Sequence, residues 1–328
     1  MLTFLKLIRY QNLIFIAFVQ FVMAQVVLVP ILQTFGFDAS IETGLMFLLI
    51  TATVLIASGG YVINDYFDVK IDMINKPEKQ IVSNILSRHS AIILHQILTG
   101  LGVTCGLALS LIARSYTLAF IFIVIPGLLW FYSASYKRLF LIGNLVVSFI
   151  SAITVLVVGI LQISFLQKEY GGLIFETPIP GSFYGWIGGF AIFSFLCTLI
   201  REIIKDMEDE KGDREMECHT LPIKWGITKT KIFLYCLITV TVIALFLANY
   251  FLIPFKNNVT IRYIIFGLAL PFAGLCFMIY RATSKSDYHQ ASNFSKVIML
   301  IGVLYSFVFY FLQAKTYGIS LFDIFVLK

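Results

Sequence analysis

The sequence predicts an all-α, polytopic membrane protein built as a bundle of about nine transmembrane helices, and three observations lead there. Of its 328 residues, 59% are apolar and only 13% charged, with a mean hydropathy of +0.91. A soluble domain carries about 25% charged residues. The apolar residues come in long runs, and a run of about 20 residues crosses the hydrocarbon as a helix. Those runs do not alternate with period two, as the strands of a membrane β-barrel would, so helices satisfy the backbone in lipid.

The spans fall at roughly 13–32, 44–63, 91–112, 117–132, 143–164, 183–200, 232–253, 263–280 and 297–312. They leave no room for a separate soluble domain, so residues 1–328 read as one transmembrane domain. Short connections make successive helices antiparallel neighbours. Lys6 and Arg9 precede a long first run without a small-residue cleavage site, which reads as an uncleaved span and not a signal peptide.

Orientation follows from the basic residues. With the N-terminus inside, inside segments carry 18 of the 24 Lys and Arg, and outside segments carry Arg114, Lys168, Lys256, Arg262, Lys315 and Lys328. That bias predicts N-terminus in and C-terminus out. The net charge of +6 is thereby explained by topology, and nucleic-acid binding is excluded. Cys105, Cys197, Cys218, Cys236 and Cys276 are scattered, with no CxxC pair, which argues against a disulfide framework or a zinc site.

The two long inside loops, 64–90 and 201–231, hold 12 of the 18 acidic residues, and acids do not set topology. The first contains "NDYFDVKID", with Asp65, Asp68 and Asp72; the second contains "REIIKDMEDEKGDRE", with Asp206, Asp209 and Asp213. Both read D-x-x-D-x-x-x-D. On a helix, positions i, i+3 and i+7 fall within roughly a 60° arc, so each triad is expected to present one carboxylate stripe. Glu202 extends the second stripe and Asn64 flanks the first. Two carboxylates about 4 Å apart repel by roughly 4 kcal/mol at an effective dielectric of 20. Such stripes call for cations, and oxygen-only donors suit Mg²⁺, which binds a few carboxylates together with substrate phosphates. Facing stripes, bridged by a metal-bound diphosphate, would satisfy both. A solvated acidic surface is the bland alternative, and a single D-x-x-D would not displace it; the repeated spacing at two span ends does.

At these residues the chain resembles the UbiA superfamily of intramembrane prenyltransferases. "NDYFDVKIDMINKPEKQIVS" resembles its first aspartate-rich motif and "DMEDEKGDREMECHTLPIKWG" its second. "YSASYKRLFLIGN" resembles the tyrosine–lysine segment after the fourth span, and "LIRYQN" the start of the first. Within the family the wording is most like the branch that joins a geranylgeranyl chain to the free hydroxyl of geranylgeranylglyceryl phosphate, an ether-lipid precursor. An aromatic acceptor of a quinone, haem or chlorin pathway is the second reading. A cation transporter is the third, and the near absence of carboxylates inside the spans speaks against it. Relatives commonly carry Arg-Pro-Ile where this chain has Lys79-Gln80-Ile81, and lysine lacks the bidentate fork of arginine.

The resemblance implies Mg²⁺-dependent alkyl transfer from an allylic diphosphate, at a site facing the cytoplasm in a multi-pass protein of the cell (inner) membrane, with loops 64–90 and 201–231 capping it. Asp65, Asp68, Asp72, Asp206, Asp209 and Asp213 would hold the metal, as two ions, with Asn64 in support. Lys137 is the first choice for a phosphate contact, oriented by Tyr132; Arg9, Lys70, Lys205 and Arg214 come second. The partners implied are a prenyl diphosphate, a membrane-embedded acceptor and the bilayer. Phe67, Tyr66 and Tyr136 are candidates to line the prenyl chamber, where ring faces attract a developing cation.

Overall fold

The computed structural model describes residues 2–37, 42–75, 77–255, 258–321 and 325–326; the side chain of Lys79 lies outside what is described. Among the described residues nine helices are long and apolar enough to cross a membrane. We number them α1 (Tyr10–Thr34), α2 (Thr43–Asn75), α3 (Arg88–Ile112), α4 (Tyr116–Ala134), α5 (Ile142–Glu176), α6 (Ile179–Glu208), α7 (Leu221–Phe251), α8 (Val259–Arg281) and α9 (Lys285–Tyr317). The number agrees with the hydropathy reading, but the ends do not. With 33 residues, α2 rises about 50 Å, well beyond a hydrocarbon core of about 30 Å. Residues 64–75 and 201–208, expected as loop, are the polar continuations of α2 and α6. Helical hydrogen bonds are internal to the segment, so a helix need not stop where its apolar run stops. The all-α expectation is also modified at one point. Gly318, in the left-handed conformation, ends α9, and a small antiparallel pairing of Ser320–Leu321 with Phe325–Val326 follows.

The chain forms two compact units, residues 1–137 with 153–188 and residues 138–152 with 189–328. In the first, α2 and α3 lie in backbone contact at small residues. A Cβ added at Gly102 would stand 2.9 Å from the Ile56 nitrogen and 3.0 Å from the Ala52 oxygen. Such contacts are with main chain and cannot be relieved by a rotamer change. Gly102→Ala is therefore expected to destabilise the protein by about 1–3 kcal/mol, as overpacked cores do. The readout is a lowered thermal midpoint in detergent, and an unchanged midpoint would show that the two helices separate at no cost.

In the second unit, Ile200, Ile203, Ile204 and Met207 of α6 are all buried and join Leu234, Ile238, Phe272, Leu275, Ile279, Ala291 and Ile298 in one core. Their i, i+3, i+4, i+7 spacing makes one apolar stripe. Glu202 and Asp206 sit two and six residues after Ile200, on the opposite side of the helix. Burying the stripe therefore fixes which way the acids point. Gly226 in the first turns of α7 has φ 79° and ψ 161°, a left-handed geometry that a side chain would strain, and it kinks the helix just after Thr220-Leu221-Pro222.

Candidate active site

The first acidic motif lies in the first unit. Asp65, Asp68 and Asp72 all stand on the uninterrupted helix α2, as their spacing predicted. The Arg9 guanidinium donates to Asp65 Oδ1 at 2.9 Å and lies over the Tyr61 ring, 4.9 Å from its centre. Arg9 itself has φ 53°, left-handed for a non-glycine residue, at the junction between the short helix Leu2–Leu7 and α1. Asn12 Nδ2 donates to the Tyr61 hydroxyl at 3.2 Å, which fixes the ring under the guanidinium. A strained backbone persists only where its surroundings hold it, and here they hold a cation against a motif carboxylate.

Asp68 is the more enclosed carboxylate. Lys137 Nζ, from the turn Tyr136–Arg138 that follows α4, pairs with Asp68 Oδ1 and donates to Asn64 Oδ1 at 3.3 Å. Asn64 Nδ2 donates to Asp68 Oδ2 at 2.8 Å. The side chains of Lys137 and Asp68 are only 11% and 14% exposed, so the pair acts in a medium of lower dielectric than a surface salt bridge. Asp72 is half-buried one turn further on, and Tyr132 is half-buried in the last turn of α4. Lys70, between Asp68 and Asp72, is exposed. The aromatic candidates form an edge-to-face chain from Tyr66 to Phe67 to Trp130, with centroids 5.2 and 5.6 Å apart. Phe131 and Tyr136 stack separately at 6.1 Å.

The second motif lies in the second unit and departs from expectation. It is not one helical stripe. The helix α6 ends at Glu208, Asp209 adopts φ −98° and ψ 6°, and a separate short helix runs Glu210–Glu215. Asp206 thus belongs to α6, Asp209 to the break and Asp213 to the short helix. Asn144 Nδ2 donates to Asp206 Oδ2 at 2.9 Å, and the Thr220 hydroxyl to Asp213 Oδ2 at 3.3 Å. Lys285 Nζ lies 4.0 Å from Asp209 Oδ1. The buried Glu202 accepts from Arg201 at 2.6 Å and from Lys205 at 3.2 Å. Lys205 is therefore committed to Glu202, and Arg214, 65% exposed, pairs with Glu210 at 2.5 Å.

Sequence reasoning missed Asn144 and Thr220 as functional candidates, although both lie in segments that carried the family resemblance. Asn144, Ser148 and Ser151 share one face of α5 at spacings of four and three. Ser151 is hydrogen-bonded to Ser194 at 2.7 Å and accepts from Thr198 at 3.0 Å. This polar seam sets the register of α5 against α6 and with it the Asn144–Asp206 contact. A buried polar side chain at helical spacing from two hydroxyls is the signal that could have found it.

Among the described residues, no three acidic, histidine or cysteine side chains close on one point as a ready-made metal cage. The donors are nonetheless of one chemical kind. Carboxylate oxygens, those of Asp65, Asp68, Asp206, Asp209 and Asp213 each beside an amide, a hydroxyl or a cation, fit a hard ion that takes a few protein ligands and completes its shell from phosphate and water. They do not fit zinc or a softer metal.

Nine long apolar helices among the described residues, with carboxylates and cations at polar helix ends, mark a multi-pass membrane protein with oxygen donors for a hard cation. The chain belongs to the UbiA prenyltransferase family, whose model matches residues 13–318. It is 32% identical over 252 residues to the digeranylgeranylglyceryl phosphate synthase of Methanosphaera stadtmanae, covering 76% of this chain and 82% of that protein. A solved digeranylgeranylglyceryl phosphate synthase superposes with a TM-score of 0.61 at 26% identity, over 93% of this chain and 96% of the other. The fold is shared with a UbiA homolog from Archaeoglobus fulgidus bound to DMAPP and Mg²⁺, with a TM-score of 0.56 at 14% identity, over 93% and 99% of the two chains.

Proposed function

We propose that this prenyltransferase moves a geranylgeranyl group from its diphosphate to the free hydroxyl of geranylgeranylglyceryl phosphate, making an ether-lipid precursor. The single observation that carries the acceptor is the 32% identity, across 82% of its length, to a digeranylgeranylglyceryl phosphate synthase. In this reading the allylic C–O bond breaks, diphosphate leaves with the electron pair, and the acceptor oxygen forms the ether bond while its proton is released. Mg²⁺, proposed as two ions, would neutralise the leaving diphosphate when bound. Asp65, Asp68, Asp72, Asp206, Asp209 and Asp213 would hold the metal. Asn64 orients Asp68, Asn144 orients Asp206 and Thr220 orients Asp213. Lys137 and Arg9, already held at Asp68 and Asp65, donate to phosphate oxygens; charge aimed at a developing anion is the largest common contribution to catalysis. Lys70, Lys205 and Arg214 take no part in this proposal.

The site faces the cytoplasm of the cell membrane, on the basic-residue bias that puts the N-terminus in and the C-terminus out. Both prenyl chains dissolve only in lipid, whereas diphosphate and Mg²⁺ come from water, so a site at the polar ends of the helices reaches both. The test offers purified protein geranylgeranyl diphosphate with either geranylgeranylglyceryl phosphate or an aromatic acid. Product is expected from the glyceryl phosphate alone, and is lost with EDTA and restored by Mg²⁺. Product from the aromatic acid alone would overturn the acceptor assignment.

A further inference from the structure

The break in the second acidic motif has an unusual neighbour. Glu208, the last residue of α6, has a side chain only 6% exposed, and burying a carboxylate is costly unless it is hydrogen-bonded. Its partner comes from 81 residues away: His289 of α9, whose Nδ1 lies 3.0 Å from Glu208 Oε1. An imidazole N–H at Nδ1 can donate to the carboxylate oxygen at this distance. Four residues earlier on α9, Lys285 reaches Asp209. Residues i and i+4 share a helix face, so one face of the first turns of α9 meets both residues at the break.

That face is built on a fixed support. Ser284 and Asp287 form a capping box, with Asp287 accepting from the Ser284 and Thr283 amides at 2.9 and 3.0 Å. Lys231 of α7 donates to the carbonyls of Ala282 at 2.7 Å and Tyr280 at 3.3 Å, closing the end of α8 directly before the turn. The Tyr288 hydroxyl donates to the same Ala282 carbonyl at 3.3 Å. The turn before α9 is thus tied from three directions, and the side chains that leave it toward Glu208 and Asp209 start from a stationary base.

We propose that His289, supported by Lys285, is a positioning residue for the second acidic motif, holding the broken end of α6 in the arrangement in which Asp206, Asp209 and Asp213 take up Mg²⁺. The proposal rests on the reading that this motif holds metal. The Asp209 amide still donates to the Lys205 carbonyl at 2.9 Å and the Asp213 amide to the Asp209 carbonyl at 3.1 Å, but the bend at Asp209 divides the motif between two helices, and α9 adds a fixture from outside them.

The test compares wild type with His289→Ala and His289→Asn in the full-length protein. The asparagine amide nitrogen stands where Nδ1 stood and keeps the bond; alanine loses it. Backbone amide exchange over 209–213 in metal-free protein and the Mg²⁺ concentration for half-maximal turnover are both measured. His289→Ala is expected to exchange about tenfold faster over this segment and to need about tenfold more Mg²⁺, as loss of an outer partner of a metal site does. Turnover at saturating Mg²⁺ should be largely restored, and His289→Asn should match wild type in both measurements. Wild-type exchange and Mg²⁺ requirement in His289→Ala, or failure of His289→Asn to rescue them, would overturn the proposal. Asp209→Asn separates the two ideas: an unchanged Mg²⁺ requirement there would remove the metal from this motif, while exchange in metal-free protein still reports on His289.

Discussion

Asp68→Asn should lower the rate of prenyl transfer by at least about 100-fold, the scale on which removing one preorganised electrostatic group acts. The substitution is nearly isosteric and sits on a helix whose other contacts are unchanged, so circular dichroism should match wild type. What disappears is a negative charge at a carboxylate that is only 14% exposed. Lys137 then loses its counter-ion, and on the proposed assignment a Mg²⁺ ligand is lost with it. Diphosphate release from geranylgeranyl diphosphate measures the effect, and wild-type turnover would remove the first motif from the chemistry.

Lys137→Met should act on stability as well as on rate. It leaves the Asp68 carboxylate, 14% exposed, without its ammonium partner, and breaking a buried pair from one side costs about 3–5 kcal/mol. The thermal midpoint in detergent should fall by several degrees. Combining Lys137→Met with Asp68→Asn removes the stranded charge, so stability should return while turnover stays absent. Recovery of both would mean that Lys137 serves only to neutralise Asp68, and a double variant as unstable as the single one would show that the pair does not account for the loss.

Hydropathy made the nine spans legible, because twenty apolar residues in a row have few fates other than a membrane helix. The 3.6-residue period made the first acidic stripe legible as well, and α2 carries it intact. The second stripe was misread at Asp209. Nothing in "DMEDEKGD" announces a break there, because the groups at that point, His289 and Lys285, lie far along the chain. Asn144 was passed over for the same reason. Its partner is 62 residues away and is brought opposite only by the Ser151–Ser194–Thr198 seam. Charge was readable by location, but not by pairing. Lys205 and Arg214 sit in the second motif and pair with Glu202 and Glu210, whereas the cations that reach the first motif, Arg9 and Lys137, come from separate segments.

Gln20, fully buried in the apolar helix α1, donates to the Thr53 hydroxyl and to the Thr154 carbonyl, each at 3.1 Å. The first partner is 33 residues downstream and the second 134. At about 5–20 residues per second of synthesis, α1 waits on the order of ten seconds for its second anchor. The nascent first hairpin must therefore hold that amide with one partner while the ribosome completes α5. Assembly order is thereby written into a single side chain, and a translation arrest before residue 154 would leave α1 incompletely seated.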